Sequence, residues 1–224
     1  MINKEKYKDI LTELSGKATL AAVSKTKPEE DIRELYDLGQ MDFAENYVQE
    51  LIDKHEHLPK DIRWHFIGHL QSNKVKFIAP FISLIHSVDS FKLLKEINKQ
   101  AEKNNRKIDC LLQVHIAEEE TKFGLNDLEL KELTGSEELP LLKNIHIRGL
   151  MGMASFNNDV EVIRNEFRHL KSLFDNYSRL SIPNCAFSIL SMGMSADYPL
   201  ALEEGSNLVR IGSLIFGERD YKAS

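Results

Sequence analysis

The sequence predicts an α/β protein made of a single (β/α)8 barrel, with an extra helix ahead of the first strand. Three observations carry this expectation. Eight short apolar runs of β character alternate with helix-like stretches along the 224 residues, and such alternation implies parallel strands joined by crossovers. Eight units in about 200 residues is the count that closes a barrel, near its compact limit. An open doubly wound sheet shares the alternation, but it carries a G-x-G-x-x-G turn after its first strand, and this chain has none there.

From the N-terminus, "MINKEKYKDI" is charged and amphipathic and supplies the extra helix. The eight predicted strands are "TLAAVSKT" (19–26), "DFAEN" (42–46), "RWHFIG" (63–68), "LIHSVD" (84–89), "DCLLQVHI" (109–116), "HIRGLMGMA" (146–154), "CAFSILSM" (185–192) and "LVRIGSLIFG" (208–217). "PEEDIRELYDLGQ" opens with Pro28 and two acids, which suit a helix N-terminus, and stops at Gly39. "SFKLLKEINKQAEKN" sets apolar residues at 91, 93, 94 and 97, close to a 3.6 period. "NNDVEVIRNEFRHLKSLFDNYSRL" is a long amphipathic helix with an Asn/Asp start, and "SADYPLALEEGSN" a short one closed by Gly205. Every strand but the last is followed by a helix. No linker, low-complexity segment or repeat interrupts the pattern, so residues 1–224 are read as one domain.

Composition narrows the function classes. Apolar residues make up 42% of the chain, enough for a sizeable core, and the net charge is -6 with no basic stripe. Nucleic acid is therefore not expected as a partner. The apolar runs are too short to span a membrane, and the N-terminus lacks the apolar segment and cleavage site of a secretory signal. A cytoplasmic location is expected. Cys110 and Cys185 fit no disulfide framework and no C-x-x-C motif, and read as buried free thiols.

Barrel chemistry sits at the C-terminal strand ends and in the loops that follow. Lys25 lies at that end of the first strand, on the face shared by Ala21 and Val23. Lys27 has the same parity but directly precedes Pro28, where it reads as a rim charge. A lysine in an apolar pocket loses proton affinity and becomes an amine able to attack a carbonyl and hold a Schiff base; a lysine snorkelling from the rim is the plainer alternative. In "SILSMGMSADYPLALEEGSN", Ser191, Gly193 and Ser195 precede a helix N-terminus, a setting for phosphate, or for an ordinary turn with Ser195 as N-cap. Arg210 interrupts an apolar run, where a charge is costly unless paired, and Gly212 and Ser213 follow it. Barrels often hold phosphate in the loops after strands 7 and 8. Lysine, phosphate cup and buried arginine together suggest pyridoxal 5′-phosphate (PLP).

The segments "AVSKTKP", "FAENYVQE", "WHFIGHLQSNK", "IRGLMGMA" and "LSMGMSADYPLALEEGSNLVRIGSLIFGER" run in order through nearly the whole chain. They resemble the PLP homeostasis proteins of the YggS/PROSC type, PLP-binding proteins whose fold is the TIM barrel of the alanine racemase N-terminal domain. The resemblance implies that Lys25 forms the internal Schiff base and that Arg210 faces the pyridine nitrogen. It assigns Ser191, Gly212 and Ser213 to the phosphate, Asn46 to the cofactor pocket and His65 to its wall. Ala44 stands where the family commonly has glycine, and Ser213 where it commonly has threonine.

A guanidinium stays protonated, so it donates to the ring nitrogen and leaves the ring a weaker electron sink. Alanine racemase is similar in the barrel, but there a second domain supplies a tyrosine base from the partner subunit. This chain ends at Ser224 with no apparent room for one, and Tyr47, Tyr198 and Tyr221 do not obviously replace it. The expected function is therefore to hold, buffer or deliver PLP in the cell, with no residue assigned a catalytic role. The alternative is a weak PLP-dependent, racemase-like enzyme acting on amino acids. Expected partners are PLP, amino acids and PLP-requiring apo-enzymes, and the chain is expected to be a monomer. A barrel hydrolase with a histidine metal site is a third class, but His65, His86 and His115 in predicted strands and the "HEH" of His55 and His57 show no converging ligand set, so no metal is expected. In "EEETKFGLN" (118–126), Lys122 and Gly124 match a family loop near the pocket mouth, which makes Lys122 a candidate second lysine for PLP transfer.

Overall fold

The computed structural model describes residues 2–119 and 123–218. Its strands are β1 (Thr19–Val23), β2 (Asp42–Glu45), β3 (Arg63–Phe66), β4 (Leu84–Val88), β5 (Ile108–Val114), β6 (Ile145–Gly152), β7 (Cys185–Met194) and β8 (Leu208–Ile211). Each pairs in parallel with its sequence neighbours, and β8 returns to β1, so the sheet closes into an eight-stranded barrel. The helices are α1 (Lys4–Leu14), α2 (Glu29–Asp37), α3 (Val48–His57), α4 (Val75–Ile78), α5 (Phe91–Lys103), α6 (Asp127–Thr134), α7 (Val160–Ser178), α8 (Tyr198–Glu203) and α9 (Ser213–Phe216). Among the described residues, none of them is long and apolar enough to cross a membrane.

Local chemistry explains where the helices start. Ser90 caps α5 by accepting the Leu93 N–H, Asp159 caps α7, and Asn126 with Glu129 closes a reciprocal capping box on α6. The last predicted strand needs correction. It ends at Ile211, and "SLIF" is the helical turn α9, with Ile215 and Phe216 in the core. A short apolar run has no period that separates buried strand from buried helix. Here α9 packs on α1, and the Asn3 N–H donates to Ile215 O at 2.7 Å. Both cysteines are free thiols; Cys110 is buried as expected, whereas Cys185 is only half-buried.

Alternation sorts side chains between two cores. One, between sheet and helices, contains Leu20, Ala22, Phe43, Trp64 and Ile85. The other fills the barrel with Ala21, Ala44, Leu84, Leu111, Met151 and Leu208, and Val23, Ile67, Met153 and Ile189 pack against it. The interior alanines have a steric role. Ala21 is the register partner of Arg210, and Ala44 that of His65. Each small residue leaves interior space beside a long polar one.

Gly149 allows β6 and β7 to approach where their register shifts. Its φ is 153°, and a Cβ there would lie 1.8 Å from Ile189 O. Gly149→Ala is expected to cost about 3 kcal/mol or more, from strain plus overpacking. Urea denaturation checks this; a loss below about 0.5 kcal/mol, the size of an ordinary surface change, would mean that the contact is not constraining.

Candidate functional site

A cavity of about 430 Å³ opens at the C-terminal ends of the strands. It is lined by Val23, Lys25 and Lys27 after β1, Asn46 after β2, Ile67 after β3, Met153 and Phe156 after β6, Met194, Ser195 and Ala196 after β7, and Arg210, Gly212, Ser213 and Gly217 from β8 onward. The barrel thus brings together Lys25, Asn46, Arg210, Gly212 and Ser213, all singled out in the sequence. Lys25, Lys27 and Arg210 are the titratable side chains of this lining, and no carboxylate is among the described lining residues. Such a site attracts anions.

Lys27 is more than a rim charge, because it lines the same cavity, with its Nζ donating to Glu218 O at 2.9 Å. Asn46 Oδ1 is buried without a hydrogen-bond partner, a cost that a bound donor would relieve. The Gly212 N–H donates to Ser195 Oγ at 3.2 Å, which leaves the serine hydrogen to donate elsewhere. A Cβ at Gly212 would come 2.9 Å from Val23 O, so this close approach of β8 to β1 suits glycine. Ser195 is not the N-cap of α8; that position is held by Asp197, whose Oδ1 accepts the Met194 N–H.

Ser191 and His65 do not line the cavity; they lie buried beneath it. Strand β7 runs on past Ser191 to Met194, with a register shift against β8 between them, so Met194 and Ser195 reach the mouth instead. Ser191 Oγ is engaged by Arg210, whose Nη1 donates to it at 2.7 Å, while Nη2 donates to Gly152 O at 3.0 Å. From Ser191 a hydrogen-bonded chain descends through the barrel. Ser191 Oγ lies 3.1 Å from His86 Nδ1, His86 Nε2 lies 3.0 Å from His65 Nδ1, and His65 Nε2 lies 3.1 Å from Asp42 Oδ1. Arg63 closes the far end with two bonds to Asp42.

One polarity satisfies every link with neutral imidazoles. Arg210 donates to Ser191, Ser191 to His86, His86 to His65, and His65 to Asp42. The ends fix this direction. Burial lowers Arg210, against the pull of Asp197, only to about 10, so it remains a donor at neutral pH. Burial pushes Asp42 upward, but the hydrogen bonds from Arg63 and His65 outweigh it and hold the carboxyl at about 2, so it remains an acceptor. His86 is held well below the usual histidine value, by burial first and then by the neighbouring His65 and Arg210. His86, Asp42 and the cavity residues Ile67, Met153 and Met194 were not singled out in the sequence as site residues. Parity along β2 and β4 pairs Asp42 with Asn46 and His86 with Leu84, and was the available signal.

Lys122 lies outside the described residues. Gly124 is described, and a Cβ on it would meet the backbone just after β5, at His115 N. His115 Nε2 is within hydrogen-bond distance of Glu119 O. Among the described residues, no three His, Cys, Asp or Glu side chains are grouped to hold a metal ion.

A closed parallel barrel is the class to which the comparisons also point. Residues 4–220 match the family described as alanine racemase, N-terminal domain. Alanine racemase from Bartonella henselae superposes with a TM-score of 0.70 at 16% identity, covering 93% of this chain and 56% of that one, which establishes a shared fold. Within this class the chain belongs to the pyridoxal phosphate homeostasis protein family. It is 46% identical over 206 residues to the Aquifex aeolicus (strain VF5) pyridoxal phosphate homeostasis protein, covering 91% of this chain and 88% of that one. PipY of Synechococcus elongatus PCC7942 superposes with a TM-score of 0.87 at 34% identity, over 95% of this chain and 99% of PipY. A second PipY structure has PLP bound and gives a TM-score of 0.86.

The buried chain makes a pH prediction. His86 stays neutral in the fold but takes up a proton when unfolded, so its contribution is intact above the ordinary value of 6.5 and is lost as pH falls below it. Between pH 6.5 and 5.5, wild type is expected to lose about 1 kcal/mol more stability than His86→Gln. Chemical denaturation at both pH values reads this difference, in which contributions common to both proteins cancel. Equal losses would show that His86 titrates normally inside the barrel.

Proposed function

We propose that this protein binds PLP through Lys25 and serves PLP homeostasis in the cell, holding the cofactor and releasing it to PLP-requiring apo-enzymes. The observation that carries this is one cavity lined by Lys25, Arg210, Ser195 and Ser213 with no described carboxylate. The unpartnered Asn46 Oδ1 in the same wall fits a ligand that brings a hydrogen-bond donor. The family membership and the PLP found in a PipY structure support the same ligand.

When bound, PLP supplies an aldehyde that condenses reversibly with a lysine amine, a C=N bond forming as one water leaves. The residues of the chain do the rest. Lys25 presents the amine from the end of β1. Arg210, charged at neutral pH, would offer a donor to an acceptor on the ring, which would favour leaving that acceptor unprotonated. Ser195, Gly212 and Ser213 would hold the phosphate, with Lys27 adding positive charge at the mouth. Ser191 acts one layer down, fixing the Arg210 guanidinium from below.

The racemase-like alternative needs a second acid or base opposite Lys25. Among the described residues no tyrosine, histidine, cysteine or carboxylate lines the cavity. Tyr198 Oη donates to Glu13 and Tyr47 is exposed. This supports holding the cofactor over turnover.

Reconstitution with PLP is expected to give a visible absorption band, fixed by borohydride onto the peptide containing Lys25 and lost in Lys25→Ala. Amino-acid racemase assays of the loaded protein are expected to give no turnover at ordinary enzymatic rates. An unchanged band in Lys25→Ala, or rapid racemisation, would overturn this reading.

A further inference from the structure

Behind β1, on the face turned away from the cavity, lies a second buried charge system. Lys54 of α3 is only 4% exposed and Glu45 of β2 is fully buried. Lys54 Nζ donates to Ser24 O at 2.7 Å, to Glu45 Oε1 at 2.8 Å and to Glu50 Oε1 at 2.7 Å, which uses all three ammonium hydrogens. Ser24 Oγ donates to the same Glu45 oxygen at 2.6 Å, and the Thr26 N–H donates to Glu50 Oε1 at 2.6 Å. The bonds therefore fall on the two residues that flank Lys25.

Two features make this more than packing. Strand β1 ends at Val23, and its last bond to β2 is the Ser24 N–H donating to Ala44 O at 3.0 Å, so the backbone of Lys25 lies beyond the strand. Thr26 adopts a φ of 63°, left-handed for a β-branched residue. Such a conformation persists only where the surroundings hold it, and it gathers at functional sites. Burying an ammonium with carboxylates is also no economical route to stability, since well-packed apolar side chains often do as well.

We infer that Lys54, held between Glu45 and Glu50, is a positioning residue that fixes the backbone on both sides of Lys25 and so aims its amine into the cavity. The inference rests on the reading of Lys25 as the PLP-bearing lysine. Lys54 itself is not among the residues that line the cavity; its effect passes through Ser24 and Thr26.

The test compares wild type with Lys54→Met, Glu50→Ala and Glu50→Gln. The measurements are apo-protein melting, PLP affinity by equilibrium dialysis, and the pH midpoint of the visible band of the PLP-loaded protein. Lys54→Met keeps the volume of the buried stem. Glu50 is partly exposed, so its truncation removes the Thr26 tether even if Lys54→Met fails to fold. Both variants are expected to bind PLP about tenfold more weakly, the order seen when the support behind a ligating side chain is removed. Their pH midpoint is expected to shift, while Glu50→Ala melts within a few degrees of wild type. Glu50→Gln keeps an acceptor for the Thr26 N–H and is expected to restore most of the affinity. Wild-type affinity and midpoint in Glu50→Ala would overturn the inference, as would Glu50→Gln failing to improve on Glu50→Ala. A wild-type protein without any visible band would instead remove the reading on which the inference rests.

Discussion

Closure of the barrel between β1 and β8 is the constraint on which the site depends. Lys25 and Arg210 come from opposite ends of the chain, and only the pairing of the first strand with the last places them in one cavity. The register is specific, since Arg210 lies beside Ala21, two residues below Val23 on the same interior face. A one-residue slip would turn Arg210 into the apolar layer under the helices, because strand side chains alternate faces. The small side chain at Ala21 and the close approach at Gly212 are the local conditions of this pairing.

The interior is filled by an ordered polar chain as well as by apolar packing. A buried guanidinium is tolerated only with its donors used. Arg210 uses two of its five on a hydroxyl and a carbonyl, both neutral, and the polarity it imposes passes through two histidines to Asp42 and Arg63. No link in this chain touches the cavity except Arg210. Its rigidity nonetheless bears on the site, because each residue of the chain has its rotamer fixed by the next.

Much of the fold was legible in the sequence. Eight β-like runs and the helices between them follow from hydrophobic period, capping residues and glycine stops, signals local to each segment. The reading erred at 208–217, where the three apolar residues of SLIF carry no period of their own. Lys25, Asn46, Arg210, Gly212 and Ser213 were legible because each is a polar or small residue at a strand end. Ser191 and His65 were grouped with the pocket residues, and both lie buried outside its lining. The register shift between Ser191 and Met194 cannot be read by counting alternate residues, and His65 pairs with partners on other strands. The Lys54 cluster was invisible for the same reason, since its bonds join α3, β2 and the turn after β1, segments whose mutual placement is tertiary.

The same sheet sorts its charges by face and by end, and this explains what the mouth can hold. Glu45 compensates Lys54 on the outer face of β2, while Asp42 and Asp109 lie near the N-terminal ends of their strands, paired with Arg63 and Arg148. The carboxylates of these strands are thereby engaged away from the cavity. Lys25, Lys27 and Arg210 meet at the other end with serine hydroxyls and backbone as neighbours. A phosphorylated aldehyde offers such a mouth an anion for the cations and a carbonyl for an amine. An amino-acid substrate would need more, because moving its α-proton requires a base on one side and an acid on the other. Among the described residues, the charge sorting that makes the cavity a good anion site also keeps carboxylates out of its lining.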